Sequence, residues 1–302
     1  MRWEDREESS NIEDRRGGFD SDNSIGGSGG GRGMPSLSTM MFLWPIIRPL
    51  LSTRFGWAII GVGAVLYFGG FNPLSNISQQ TKTTTHVNKK LDDKEARFMA
   101  TVLRDTEIVW SDIFKAHGAK YPKPIMVLYR GATSSGCGHA SSQMGPFYCP
   151  ADHRVYLDLG FFDELAKKYH ASGDFAEAYV LAHEIGHHVQ NLQGTLDKVQ
   201  RLKQHARGQR AENQLQVRVE LQADCYAGVW ANHADKRFNM LEKGDIEEAL
   251  NAASSIGDDT LQKQAQGYVV PDSFTHGTSA QRVEWFKKGF NSGDIKSCNT
   301  GI

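Results

Sequence analysis

The apolar and polar positions divide this chain into a polar amino-terminal stretch, one uninterrupted apolar run and a long carboxy-terminal part with mixed periodicity. Residues 1–40 contain eight glycines, thirteen charged residues and few large apolar groups. A segment of this composition cannot bury enough apolar surface to fold alone, so we predict a disordered tail. Residues 41–54 are apolar but interrupted by Pro45 and Pro49, which indicates a juxtamembrane segment.

Residues 55–71 form an uncharged apolar run, at the short end of the length that crosses a bilayer as a helix. Arg48 and Arg54 closely precede this run and the next basic residue is Lys82, so the positive-inside rule places the amino terminus in the cytoplasm. We therefore expect one transmembrane helix, a spacer over residues 72–90 and a domain outside the cytoplasm. A cleaved signal peptide fits less well because more than fifty residues precede the run. A buried core helix also fits less well, because no globular sequence precedes it.

The periodicity of residues 91–302 predicts one α+β domain, mostly helical with a small sheet. Apolar positions at helical spacing predict helices at 91–116, 161–170, 175–192, 210–233, 245–257 and 279–291. Residues 125–129 and 154–159 are the best strand candidates, because they are rich in β-branched, aromatic and aliphatic residues.

The pentad His-Glu-Ile-Gly-His at residues 183–187 carries the clearest chemistry. Two histidines four residues apart on a helix present both imidazoles to one metal ion, which suits zinc, with Glu184 beside a bound water. The packing stripe of this helix lies nearly opposite the histidines and comprises Ala178, Leu181, Ile185, Val189 and Leu192. Ala182 and Gly186 are small enough to let another backbone or a substrate come close. A solvated histidine pair is the alternative interpretation.

A hydrolytic zinc site needs a third protein ligand and an open position for water. Gln193 stands where one extended motif would place another histidine, so the ligand must come from elsewhere. A predicted helix downstream carries Glu220 and Asp224 on one face, flanked by alanines. We predict that Glu220 completes the ligand set begun by His183 and His187. Asp224 is predicted to orient a ligand histidine, with two surface carboxylates as the alternative.

Residues 274–282 offer a candidate for the rest of the site. Thr278 and Gln281 make a capping-box pattern, which predicts the start of a helix. His276 lies just ahead of that start, and Arg282 lies in the first turns. Either side chain is a candidate for holding the negative charge on a reacting carbonyl oxygen. Ordinary hydrogen-bonding roles are the alternative for both.

The pattern His-Glu-Ile-Gly-His-His-Val-Gln at 183–190, followed by Glu-Leu-Gln-Ala-Asp at 220–224, resembles the bacterial neutral zinc metallopeptidases, membrane-anchored relatives of the gluzincins. The opening Met-Arg-Trp-Glu with Ile-Glu-Asp-Arg-Arg-Gly at 12–17, and the segment 137–149, also resemble that family. The resemblance thus covers nearly the whole chain. It brings no substrate, because the family takes its name from its motif.

The resemblance implies a zincin-like domain with one Zn²⁺ held by His183, His187 and Glu220. It also implies Glu184 as the general base and a protein or peptide as the substrate. In metallopeptidases of this broad type, a strand just before the active-site helix offers its edge to an extended substrate. That implies a substrate-binding role for residues 154–159.

All four cysteines lie beyond the apolar run, as expected for disulfides in an oxidising compartment: Cys137, Cys149, Cys225 and Cys298. Three pairings are possible for four cysteines. We favour Cys137 with Cys149 because that loop is short, which leaves Cys225 for Cys298 by elimination. A structural zinc cluster is disfavoured because no two cysteines have Cys-x-x-Cys spacing.

The formal net charge is -1 and no long Lys/Arg cluster occurs, so nothing indicates a nucleic-acid partner. The leading hypothesis is a zinc endopeptidase of the bacterial inner membrane, anchored through residues 55–71, with its catalytic domain periplasmic or otherwise extracytoplasmic. The first alternative is a catalytically silent interaction or assembly factor of the cell envelope that uses zinc for stability. The second is a substrate-binding module whose tail recruits cytoplasmic partners.

Overall fold

The computed structural model describes residues 1–17 and 89–302. Its α-helices are α1 (Lys89–Ala116), α2 (Leu159–Lys167), α3 (Asp174–Leu192), α4 (Thr195–Gln204), α5 (Gln209–Phe238), α6 (Asp245–Ser255), α7 (Asp258–Gln266) and α8 (Ser279–Ser292). Its strands are β1 (Ile12–Asp14), β2 (Ile125–Tyr129), β3 (Ala132–Ser135), β4 (Gly138–Ser141), β5 (Phe147–Cys149) and β6 (Arg154–Asp158). The predicted class, α+β and mostly helical with a small sheet, is confirmed.

Four strands form a sheet in the order β1-β2-β6-β5, and β3 pairs with β4 in a separate antiparallel hairpin. β1, β2 and β6 run parallel, whereas β5 is antiparallel to β6. The expectation that residues 154–159 offer a free edge to substrate is wrong, because β6 is bonded to β2 on one side and to β5 on the other. Within the described residues, β1 and β5 are the edges of this sheet.

The two faces of the sheet pack against different partners, because side chains alternate across a strand. One face joins the helices in the main core and presents Met126, Leu128, Val155 and Leu157. The opposite face forms a smaller cluster that comprises Val127, Tyr129, Ala140, Cys149 and Tyr156. Since both faces are covered, β2 and β6 read as nearly continuous apolar runs.

Residues 1–17 belong to this fold, so the predicted disordered tail is wrong for that stretch. β1 pairs in parallel with β2, and Trp3 is 8 % exposed with its ring 5.2 Å from that of Phe98 on α1. The composition of residues 1–40 shows only that they cannot fold alone. Residues 1–17 are ordered because they pack on the apolar surface of α1 and pair with the edge of β2. Residues 18–40 lie outside the described residues.

The predicted membrane-associated parts also lie outside the described residues, namely the juxtamembrane segment 41–54, the span 55–71 and nearly all of the spacer 72–90. Among the helices of residues 89–302, none is both long enough and apolar enough to span a bilayer.

The predicted helices are present, with ends that differ by a few residues. The capping box of Thr278 and Gln281 starts α8 as the sequence indicates. The patterns do not predict α4 or α7, because both are short and polar: only Val199 of α4 and Asp258 of α7 are buried. β1 and β5, at three residues each, are too short to show a period.

Two glycines bring α5 and α8 into backbone contact. A Cβ atom on Gly289 would lie 1.9 Å from the carbonyl oxygen of Cys225, and one on Gly228 would lie 2.1 Å from that of Phe286. Only a hydrogen atom fits at these two positions, so any larger side chain would force the helices apart. The carboxy-terminal half of α8 is thereby held against the middle of α5.

Both predicted disulfides are confirmed, Cys137 with Cys149 and Cys225 with Cys298. The first closes the loop that carries β4 and ends in β5. The second ties α5 to the carboxy-terminal end of the chain, beyond α8. The first therefore fixes the loop that contains β5, and the second fixes the middle of α5 next to Asp224.

Replacing Trp3 with alanine is expected to lower the free energy of unfolding by about 3 kcal/mol, because a buried aromatic ring leaves a cavity against Phe98. The measurement is urea denaturation followed by circular dichroism. Arg2→Ala is the control, since its side chain is 55 % exposed and its loss should change stability by less than about 0.5 kcal/mol. Equal stabilities of the two variants would show that residues 1–17 do not contribute to the core.

Candidate metal centre

α3 presents the histidines of the pentad to a cavity and buries its opposite side. The predicted packing stripe lies in the core, with Ala178, Leu181, Ile185 and Val189 all 0 % exposed. His183 and Glu184 are also largely buried, while His187 is partly open. The helix therefore has one side for stability and one side for chemistry, as its periodicity predicts.

α5 crosses α3 at very short range. A Cβ atom on Gly186 would lie 3.0 Å from the carbonyl oxygen of Ala223 and 3.1 Å from its Cα atom. The close approach expected from the small residue at 186 is thus present, and its partner is the backbone of α5. Because Glu220 lies about one turn before Ala223, the crossing carries Glu220 to the histidines.

The Glu220 carboxylate contacts both imidazoles. Its Oε2 atom lies 3.2 Å from Nε2 of His183 and 3.4 Å from Nε2 of His187. Two imidazole nitrogens and one carboxylate oxygen are a donor set that zinc accepts in catalytic sites. The residues present therefore fit a zinc ion, with His183, His187 and Glu220 to hold it.

Glu184 is the competing carboxylate. Its carboxylate and the ring nitrogens of His183 and His187 offer ligand atoms that all lie within 4.8 Å of one another. Glu220 is nonetheless the better third ligand, because its Oε2 touches both imidazoles and its Oε1 accepts a hydrogen bond from Gln216 Nε2 at 2.7 Å. Within residues 1–17 and 89–302, Glu184 has no hydrogen-bonding partner, so its oxygens are left for other chemistry.

Asp224 holds His183 from behind. Its Oδ1 atom accepts a bond from His183 Nδ1 at 2.8 Å and another from the Tyr179 hydroxyl at 2.5 Å. Arg282 grips the same carboxylate twice, with Nε at 2.9 Å from Oδ2 and Nη2 at 2.9 Å from Oδ1. Asp224 and Arg282 are both almost completely buried. Asp224 therefore lies where the sequence predicts, against His183. Arg282 binds Asp224, so its guanidinium is not directed at a reacting carbonyl oxygen.

His187 is held in a similar way by an amide. Its Nδ1 atom donates to Gln190 Oε1 at 2.9 Å, and Gln190 Nε2 donates onward to the carbonyl oxygen of Val219 at 2.7 Å. Because that second bond orients the amide, Oε1 faces the histidine and fixes its tautomer. Each imidazole thus has its Nδ1 occupied and its Nε2 free to face Glu220.

The charges in this site favour a cation. Burial raises the pKa of Asp224, but Arg282 and His183 outweigh burial and lower it to about 2. Burial also raises the pKa of Glu220, but His187 and His183 bring it well below its usual range. Burial lowers the pKa of His183, yet Asp224 overcomes this and raises it to about 10. Both carboxylates are therefore anions at neutral pH, with Glu220 against the Nε2 atoms of both imidazoles and Asp224 behind His183.

His276 lines the same cavity as the two histidines of the pentad and is held by Asp258. The Oδ2 atom of Asp258 accepts bonds from the backbone amides of Thr275, His276 and Gly277 at 2.7, 2.6 and 3.0 Å. The Oδ1 atom lies 3.2 Å from His276 Nδ1. That bond to Asp258 raises the pKa of His276, against the opposing effect of burial. The imidazole is therefore oriented by one nitrogen, with the other available to the cavity.

The cavity itself measures about 670 Å³, and its lining includes apolar and aromatic side chains as well as the histidines. The apolar and aromatic lining includes Pro146, Phe147, Phe161, Tyr169, Val180 and Ile256. Phe147 belongs to β5, so an edge of the sheet reaches the site. The strand that borders the site at this edge is therefore β5, within the disulfide loop, rather than the predicted β6.

Sequence reasoning missed four residues of this site. Tyr179 precedes His183 by four residues, Gln190 follows His187 by three and Gln216 precedes Glu220 by four, so helical spacing contains a signal for these three. Asp258 carries no such signal, because it belongs to a different helix from the segment it holds.

Two comparisons with known proteins found similarity to this chain. The family described as "Putative neutral zinc metallopeptidase" matches residues 1–301. "Uncharacterized protein YpfJ" of Escherichia coli (strain K12) is 50 % identical over 301 residues, which cover 99 % of this chain and 98 % of the relative. "Uncharacterized protein Rv2575" of Mycobacterium tuberculosis is 40 % identical over 253 residues, covering 76 % of this chain and 83 % of the relative. No solved structure matches the chain.

Asp224→Asn is expected to weaken zinc binding by about 10-fold to 100-fold, because the amide loses the charge that orients His183. The measurement is competition for zinc against a chromophoric chelator. Glu212→Gln is the control: it also replaces a carboxylate with an amide on α5, about two turns before Glu220, and it should leave the affinity unchanged. Unchanged affinity in Asp224→Asn, with normal circular dichroism, would show that Asp224 does not orient the ligand.

Proposed function

This chain belongs to the family of neutral zinc metallopeptidases, and we propose that it is a zinc-dependent endopeptidase with Glu184 as its general base. One observation carries the proposal: Glu220 reaches the Nε2 atoms of His183 and His187, while Glu184 beside them has no hydrogen-bonding partner in the part of the chain that the structure describes. A site that uses zinc only for stability needs closed ligation and no free carboxylate. The arrangement therefore favours hydrolysis over a catalytically silent assembly factor.

Zinc held by His183, His187 and Glu220 would supply a Lewis acid that acidifies water and polarises a carbonyl group. Glu184, next to one ligand on α3, takes the proton from the attacking water. It then delivers that proton to the leaving amine when the peptide bond breaks. Since water is the nucleophile, no covalent bond to the enzyme forms.

His276 and Arg282 have different roles in this proposal. His276 faces the cavity with one nitrogen while Asp258 holds the other, so it donates to the oxygen of the tetrahedral intermediate. Arg282 donates hydrogen bonds to Asp224, to Tyr179 and to the carbonyl oxygen of Ile256. It is therefore a positioning residue, which keeps Asp224 charged and His183 oriented.

The substrate is proposed to bind as an extended chain along β5. This strand is an edge of the sheet in the described residues, and edge strands pair with extended peptides through backbone hydrogen bonds. Phe147, Phe161 and Val180 line the cavity, so a large apolar side chain of the substrate fits there. The substrates are then peptides or unfolded protein segments, because a folded chain cannot present such an edge.

We place the catalytic domain outside the cytoplasm, attached to the membrane through residues 55–71. The two disulfides support an oxidising compartment. The apolar run in the sequence supports the attachment.

Glu184→Gln is expected to reduce peptide cleavage by at least about 100-fold while zinc remains bound, because the amide cannot accept the proton. The assay combines cleavage of unfolded protein with zinc measured in the same preparation. His183→Ala is the contrasting variant and should lose both activity and zinc. A wild-type protein that holds zinc but cuts no peptide would overturn the proposal in favour of the assembly factor.

Asp258→Asn is expected to move the alkaline fall in activity to lower pH, because Asp258 raises the pKa of His276. His276 donates best as a cation, so activity falls as the pH rises through its raised pKa. The contribution of this pairing to stability also decreases with rising pH. It is fully present below the pKa of an ordinary histidine, and it is lost as the pH rises through the raised pKa of His276. The measurement is kcat/KM against pH. In His276→Gln this limb should disappear, and an unshifted limb in Asp258→Asn would exclude the role given to the pair.

A further inference from the structure

Residues 1–17 and 89–302 form one folded unit, although the predicted span 55–71 separates them in the sequence. The backbone of the first segment is bonded into the second at several points. Ser9 N donates to Ala100 O at 3.0 Å, and Arg15 N donates to Leu128 O at 2.7 Å. Among the described residues, β1 is one of the two edge strands of the sheet, so its loss would leave β2 with an unpaired edge.

Buried charges of α1 depend on the same segment. Glu107 is 1 % exposed, and its Oε1 atom accepts bonds from Ser9 Oγ at 2.7 Å and Asn11 Nδ2 at 2.6 Å. Asp105 is 2 % exposed and forms an ion pair with Arg6. Removing residues 1–17 would take these hydrogen-bonding and ionic partners away from both carboxylates, which would destabilise the fold.

These contacts constrain where the two segments can reside. The hydrocarbon core of a bilayer is about 30 Å thick, so hydrogen-bonded strands cannot lie on opposite sides of it. We infer that residues 1–17 lie in the same compartment as the metal centre. The compartment is the extracytoplasmic one proposed from the disulfides. This replaces the cytoplasmic amino terminus expected from the sequence.

The cysteines of the chain make the inference directly testable. All four are engaged in disulfides, so a single introduced cysteine is the only free thiol. Ser10→Cys and Lys263→Cys report on the two segments, because both positions are exposed. The full-length variants are produced in bacteria, and spheroplasts are treated with a membrane-impermeant maleimide before and after detergent lysis.

The expected result is labelling of both variants in intact spheroplasts to nearly the same extent, a ratio close to one. Labelling of Lys263→Cys alone, with Ser10→Cys reacting only after lysis, would overturn the inference. Protection of both variants until lysis would support a shared compartment while rejecting the extracytoplasmic location. Maleimide labelling does not depend on catalysis, so the shared compartment and the proposed activity are tested separately.

A second measurement tests whether the segments touch in the cell. Glu8 and Arg97 are exposed, and their carboxylate and guanidinium groups are 2.8 Å apart. In the Glu8→Cys and Arg97→Cys double variant, an impermeant bifunctional maleimide should join the two positions within one chain in intact spheroplasts. The linked peptides are identified by mass spectrometry. Failure to link two cysteines that each react alone would contradict the inference.

Discussion

The close crossing of α3 and α5 is the constraint on which the site depends. The histidines and Glu220 come from different helices, and their donor atoms meet only because Gly186 lets the backbone of Ala223 approach α3. A larger side chain at position 186 would separate the helices and draw Glu220 away from the imidazoles. Gly289 likewise lets the backbones of α8 and α5 approach each other. That contact sets α8 where Arg282 can reach Asp224. Backbone contact between helices therefore comes first, and the chemistry follows from it.

The buried charges behind the histidines have a cost that the fold offsets locally. Burying an ionised carboxylate such as Asp224 is unfavourable unless other groups satisfy its oxygens. Arg282, Tyr179 and His183 do so together, with every bond at normal hydrogen-bonding length. An apolar cluster of equal volume would pack here, but it would leave His183 free to rotate. The charges are thus suited to fixing one orientation of the imidazole rather than to adding stability.

The domain is assembled from distant parts of the chain. β1 and β2 pair in parallel although more than one hundred residues separate Ile12 from Met126, and parallel pairing over such a separation closes a large loop. Contacts of this kind slow folding, since the entropy of loop closure opposes them. The two edge strands of the sheet in the described residues, β1 and β5, also differ in what they contact. The first is completed by the chain's own amino-terminal segment, whereas the second borders the cavity beside the histidines.

The sequence by itself determined the features that depend on local spacing. Four residues between His183 and His187 fix their common face, as helical periodicity fixes the packing stripe beneath them, and the capping box fixes the start of α8. The disulfide pairs and the choice of Glu220 also followed from spacing and composition. Only the tertiary structure decided that Asp258 supports His276, that β5 is the edge at the site and that residues 1–17 join the domain. Local patterns arise from neighbours within one or two turns, whereas these three features arise from contacts between segments that no period connects.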